Sequence, residues 1–449
     1  MAMVGEAGTT KFLHMWQLAV HMWLSRSEQT YPMPTANVEP VPNAPTLRDI
    51  EHARDVIQPA IHVTPMFHSH TFSEMTGADV YLKPENLQKA GSFKVRGATY
   101  KISQLSDEER ARGVIASSMG NHAQAVAIAA RSLGVPATIV MPEHAPIVKV
   151  MATQGYGAKV VLHGATFGDA SAYARQLQAE TGATFVHGFD DRDLIAGQGT
   201  LGLEILSQVP SVDAVIVPVG GGGLISGIAI AIKSQRPEVQ IIGVQAQGAD
   251  AVKRSLEAGK IISDSNLNTI ADGISINRPG ELTFAIMRNY LDEIVAVSDE
   301  ETMSAILLLL ERSKLQVEGA GAVGLAALLH PGLLNLAGKK VVLVLSGGNI
   351  DMNLLGEFIE HGLVAQGRIV ILRTLIPDLP GALKRLLALI AELDVNIREM
   401  NYFRTMQSLP VQQNEITLTL EMRNHAHMEQ LLALLQEKGY EVTKLQISS

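Results

Sequence analysis

The chain has 449 residues, 47% apolar and only 4% aromatic; at about 150 residues per domain this predicts roughly three units with aliphatic cores and disfavours an all-β sandwich. Its 36 Lys and Arg against 45 Asp and Glu give a formal charge of −9, the wrong sign for a phosphate-backbone binder, so nucleic acid is not an expected partner. There is no cysteine, which excludes disulfides, thiolate metal sites and Cys nucleophiles and leaves Lys, Ser, Thr, His or a carboxylate for covalent chemistry.

Residues 12 to 24 are apolar but interrupted by His14, Gln17 and His21, and prolines follow at 32, 34, 40, 42 and 45. The run is too short and polar for a membrane span and lacks the basic start and cleavage site of a signal peptide. Residues 1–45 therefore read as a poorly ordered extension that activity does not need, with no membrane partner and a cytoplasmic location expected.

From 46 to 362, short apolar runs at 113–117, 136–141, 158–163, 213–219, 241–245 and 340–346 alternate with Ala- and Leu-rich stretches of helical spacing such as 122–134. Buried runs separated by helices predict open parallel sheets with crossover helices. Beyond that body, 368–378 reads as a strand, 380–393 as a helix, 395–404 and 414–423 as strands, 427–439 as a helix and 440–447 as a strand. The order β-α-β-β-α-β predicts a separate ferredoxin-like domain over 365–449.

Ligands of open parallel sheets bind beyond the carboxyl ends of the strands. Three of those ends run into small polar turns: Ser117-Ser118-Met119-Gly120-Asn121-His122, Gly220-Gly221-Gly222-Gly223-Leu224, and Ser346-Gly347-Gly348-Asn349. Four glycines before a helix let backbone N–H groups close on a phosphate, though the same run also suits a tight βα turn. Neither the Walker spacing nor a strand-linked GxGxxG is present, which disfavours ATP and NAD. Lys94, just after Gly91-Ser92-Phe93 and before a predicted helix, can neutralise a phosphate or bond covalently to a carbonyl cofactor.

The run SFKVRGA at 92–98, the turn at 117–122, the tetraglycine loop and SGGNID at 346–351 together resemble the fold-type II pyridoxal-phosphate enzymes, and the layout with its added small domain resembles the threonine dehydratases. The resemblance covers about 47–449 and implies a two-lobed catalytic domain, the smaller lobe near 90–195, followed by a single ACT domain. It implies pyridoxal 5'-phosphate as cofactor, with Lys94 as its covalent anchor and later the base that takes the α-proton. Phe93 would lie near the cofactor ring, Asn121 would bond its 3-hydroxyl, Gly220, Gly221, Gly222, Gly223 and Leu224 would hold the phosphate, and Ser346 would face the ring nitrogen. Ser118, Asn121 and His122 would bind the substrate carboxylate. The implied reaction is deamination of L-threonine to 2-oxobutanoate and ammonia, with L-serine a near neighbour; a serine racemase or a non-catalytic amino-acid sensor are the rival readings.

Met119 stands where the resemblance leads one to expect Ala, either narrowing the pocket or turning into the core. It cannot exchange a proton, which disfavours racemisation. Gln245 and Ala251 replace the carboxylates that hold a divalent cation in related enzymes, so no metal is expected. Glu318 is expected to support the site from behind and Asp272 to line it; His187-Gly188-Phe189-Asp190-Asp191 resembles a loop that closes the small lobe over the site, with His187 itself equally well a structural histidine. The loop Asp378-Leu379-Pro380-Gly381-Ala382 resembles the effector loop of ACT domains and implies isoleucine or valine at Asp378, Pro380, Gly381 and Ala382. A homodimer or homotetramer is expected.

Overall fold

Seven strands form the main sheet of the larger body: β1 (Tyr31–Pro32), β2 (Phe67–His68), β3 (Asp79–Pro84), β8 (Ala214–Pro218), β9 (Gln240–Ala246), β10 (Glu293–Val297) and β11 (Lys340–Leu345). Their order is β1-β10-β9-β8-β11-β3-β2, with parallel pairing throughout the middle and antiparallel pairing only at the two edges. A second sheet, all parallel, has the order β6-β5-β4-β7 from Lys159–Leu162, Ala137–Met141, Val114–Ser117 and Thr184–Phe185. The structure, a computed structural model, describes residues 31–32, 41–404 and 412–445. Most of the N-terminal extension expected to be poorly ordered therefore lies outside the described residues.

Every residue of β8 is buried, as a strand covered by helices on both faces requires. The smaller sheet has its own core, built around Val95, Ala116, Val126, Ile139 and Leu194. This is the two-lobed parallel architecture expected from the alternating runs. β3 and β10 escape that reading. β3 carries Lys83, which is fully buried and bonded to Glu204 at 2.7 Å, so a charge that reads as surface lies inside.

The chain divides into two compact units between Ile350 and Asp351, earlier than the boundary expected near 362. The helix Met352–Ala365 goes with the second unit, where His425 Nε2 bonds the Ala365 carbonyl at 3.0 Å. That unit is the βαββαβ arrangement: β12 (Ile369–Pro377), helix Ala382–Glu392, β13 (Asn396–Phe403), β14 (Gln413–Glu421), helix His425–Glu437 and β15 (Val442–Leu445), all antiparallel in the order β13-β14-β12-β15. Inward residues of β14 alternate with outward ones along the strand, the period-2 pattern of a sheet with one covered face.

Candidate active site

Three strand ends meet. Ser92 bridges to Gly347 just beyond β11, and the Phe93 N–H donates to the Ser346 carbonyl at 3.1 Å. This seats Lys94 at the start of the helix Lys94–Ser103. Gly348 N–H donates to Gly91 O at 2.9 Å, and Asn349 Nδ2 donates to Ala90 O and Asn121 Oδ1, each at 2.7 Å. The lysine segment, the Ser346 turn and Asn121 thus form one hydrogen-bonded unit.

Lys94 is part-buried, and its Nζ donates to the Gly188 carbonyl at 2.9 Å, 5.2 Å from the centre of the Phe93 ring. Loss of water lowers its pKa to about 8, with the Glu318 charge partly opposing that shift. Glu318 is pushed up to about 7 by burial, against the hydrogen bond that Asn121 Nδ2 donates to its Oε1 at 2.7 Å. Burial thus moves both the amine and the carboxyl toward neutral pH.

In the turn after β4, Ser118 Oγ accepts from Gly120 N–H at 3.2 Å. The His122 ring is buried, and its Nε2 bonds the Val186 carbonyl at 2.9 Å. Burial, and then the Lys94 charge, lower His122 to about 3, so it is a neutral structural ring whose Nδ1 meets no acceptor or donor among the described residues. No described residue accepts from the backbone N–H groups of Met119, Asn121 or His122. A carboxylate at this turn would meet backbone donors, with the imidazole turned away. Met119 is 39% exposed, so it does not enter the core.

The glycine loop is wrapped tightly. A Cβ on Gly221 would lie 2.3 Å from the Phe189 ring, and one on Gly223 would lie 2.8 Å from the Phe189 carbonyl; Gly222 has φ +93°. Only glycine fits there. No described residue accepts from the N–H groups of residues 220–225, which open the helix Gly223–Lys233 with its favourable dipole. Leu224 is buried, and the buried Ser226 Oγ in the first turn has no partner among the described residues. Ser346 is buried at the end of β11.

Behind Lys94, Arg96 spends its guanidinium on Glu85 (2.7 and 2.8 Å), Glu204 (2.6 and 3.0 Å) and Thr200 (3.3 Å). Sequence reasoning missed this network, the Gly188 carbonyl and the Asn121–Glu318 pair. The visible signal was Arg96 two positions after Lys94, which on a helix faces a different side. Gln245 is fully buried, its Nε2 donating to the carbonyls of Val219 (3.2 Å) and Ala249 (3.1 Å) and its Oε1 accepting from Lys253 N–H (2.8 Å). No cluster of three or more His, Asp or Glu suited to a metal occurs among the described residues.

In the second unit, Asp378 accepts from Asn414 Nδ2 at 3.0 Å and from Arg404 at 3.3 Å; the Asn414 bond, helped by the Arg404 charge, keeps its carboxyl below the ordinary value despite desolvation. Pro380 and Gly381 are exposed, Gly381 with φ +83°, and Ala382 is buried.

The profile of the pyridoxal-phosphate dependent enzymes matches residues 57–347. The chain is 50% identical over 397 residues to an L-threonine ammonia-lyase of Thermotoga maritima, covering 88% of this chain and 98% of that protein. Among solved structures it is similar to a T.th. threonine deaminase (44% identity, TM-score 0.65, 69% of this chain and 99% of that one) and to maize serine racemase (39%, 0.68, 72% and 98%). The site fits the cofactor of that family: an amine for a carbonyl carbon, unengaged backbone donors and an unpaired hydroxyl for a phosphate. No helix among the described residues is long and apolar enough to cross a membrane.

Proposed function

Since the chain belongs to the pyridoxal-phosphate dependent enzymes, we propose that its larger body converts L-threonine to 2-oxobutanoate and ammonia. The observation that carries this reading is Lys94: an amine lowered to about 8, beside a set of unengaged backbone donors. When bound, pyridoxal phosphate supplies a carbonyl carbon for that amine and an electron sink for the bond broken at the substrate Cα.

The N–H groups of Gly220, Gly221, Gly222, Gly223 and Leu224 hold the phosphate in this reading, and Asn121 and Ser346 hold the ring. A neutral hydroxyl at Ser346 does not keep the ring nitrogen protonated as a carboxylate would. This favours quick loss of a β-hydroxyl over long-lived carbanion chemistry. Lys94 Nζ, once free, takes the α-proton, and a pKa near 8 leaves far more neutral amine at pH 7 than an ordinary lysine has. The N–H groups of Met119, Asn121 and His122 orient the substrate carboxylate, with Ser118 shaping the turn.

L-Serine is the second substrate we propose, because one methyl group discriminates by only about 1–3 kcal/mol. The smaller unit acts in this reading as an ACT-type regulatory domain taking isoleucine or valine at Asp378, Pro380, Gly381 and Ala382, in a cytoplasmic homodimer or homotetramer. The Thermotoga maritima similarity spans most of the chain, which supports a two-part enzyme. The test is release of 2-oxobutanoate from L-threonine and pyruvate from L-serine, with and without isoleucine. Turnover of threonine that isoleucine depresses supports the whole reading. Turnover that neither isoleucine nor valine alters, with no heat of binding, leaves the smaller unit a structural role, and no 2-oxo acid from either substrate refutes the enzymatic reading.

A further inference from the structure

The segment 187–191 touches both ends of the candidate site. Gly188 offers its carbonyl to Lys94 Nζ, and Phe189 lays its ring on Gly221 and its backbone against Gly223. The next residue, Asp190, reaches the helix Glu281–Tyr290 and accepts from three consecutive backbone N–H groups: Glu281 at 3.0 Å, Leu282 at 3.1 Å and Thr283 at 3.0 Å. The approach is close enough that a Cβ on Gly280 would fall 2.2 Å from Asp190 Cγ. Thr283 Oγ1 in turn donates to the Gly221 carbonyl at 2.7 Å, and a Cβ on Gly222 would strike Met287 and Thr283. One carboxylate thus ties the loop segment that fixes the lysine end to the helix that backs the glycine loop.

We propose that Asp190 is a positioning residue that sets the separation between the Lys94 amine and the phosphate-holding loop. The inference rests on the reading that this loop holds the cofactor phosphate. A carboxylate on three N–H groups at a helix N-terminus is a charge-assisted, geometrically fixed clamp. Losing it frees Phe189 and the first turn of the helix together, and the glycine loop loses support on two sides. The carboxylate touches no reacting atom in this role; it acts through Phe189 and Thr283.

The test is the dissociation constant for pyridoxal phosphate, read from visible absorbance on adding cofactor to cofactor-stripped full-length protein. Asp190→Ala weakens binding about tenfold or more, whereas Asp190→Asn, which keeps the oxygen facing Leu282 and Thr283, weakens it less than about threefold. Thr283→Val alone weakens binding, and the double variant loses less than the product of the single losses because both act on one loop. Ser298→Ala removes an unrelated helix cap; it lowers the melting temperature but leaves the constant unchanged. Wild-type affinity in Asp190→Ala, or an equal loss in Ser298→Ala, overturns the proposal. If Asp190→Ala does not fold, unchanged affinity in Thr283→Val overturns it. A wild-type chain that binds no pyridoxal phosphate refutes the cofactor reading instead.

Discussion

Two sets of polar groups differ in how completely the chain answers them. On one side, Arg96 and Lys83 are fully buried. Arg96 is answered by Glu85, Glu204 and Thr200, and the Lys83 amine by Thr64 O, Glu204 and Gln208. On the other side, Lys94 makes one hydrogen bond, and His122 Nδ1 and the hydroxyls of Ser92, Ser117 and Ser226 make none among the described residues. Buried polar groups left unanswered are costly, and a folded chain keeps few without a use for them. The paired set holds the helix in place; Gln198 Nε2 and Asn414 Oδ1 are also unanswered among the described residues, so the unpaired hydroxyls support a ligand site only together with Lys94 and the unengaged N–H groups of the two turns.

Removing the Lys94 amine separates function from stability most sharply. Lys94→Ala lowers turnover of L-threonine by about 10³-fold or more and abolishes the visible band of bound cofactor, while the melting temperature stays level or rises. A variant that keeps the band contradicts the comparison.

Arg96→Met is the mirror experiment, expected to cost about 3–5 kcal/mol in urea unfolding because the buried Glu85 loses its ion partner and Glu204 is left with Lys83 alone. Its pH dependence also reverses. In the native chain burial pushes Glu85 up, but Arg96 outweighs this and holds it below its ordinary value of 4.5. That contribution is complete above 4.5 and fades as pH falls through the lowered value. Without Arg96, Glu85 is raised, and the variant gains stability as pH drops. Unfolding curves at several pH values check the sign.

Gly221→Ala tests the wrapped loop. Its Cβ meets the Phe189 ring, so cofactor affinity falls about tenfold while the cores remain folded, as a cofactor titration alongside far-UV circular dichroism reads. A gentler change sharpens the electrostatics. The acid limb of kcat is expected near pH 8, where Lys94 becomes neutral. The Glu318 charge raises that amine, so Glu318→Gln moves the limb to lower pH; a limb that stays in place refutes the coupling. The smallest effect is expected at exposed Met119, where Met119→Ala changes the threonine-to-serine ratio of kcat/KM by less than about tenfold.

What could be read beforehand divides along the same line. The apolar runs of β4, β8 and β11 and the alternation in β14 announce their strands, since burial on two faces or one leaves a plain pattern. Lys94, Asn121 and the glycine loop stand out by residue type at strand ends. β3 does not, because Lys83 is neutralised by Glu204, which is far away in sequence. The Gly188 carbonyl left no trace either, as a backbone acceptor has no residue type. His122 keeps a backbone N–H for the proposed carboxylate site, and only the fold shows its ring turned to Val186.

The central claim is that Lys94 anchors the cofactor of a threonine-deaminating enzyme. Reduction of the cofactor-loaded chain with borohydride, followed by peptide mass spectrometry, tests it most directly. The account predicts a phosphopyridoxyl group on Lys94; the same group on Lys89 or Lys101, or on no lysine, contradicts it.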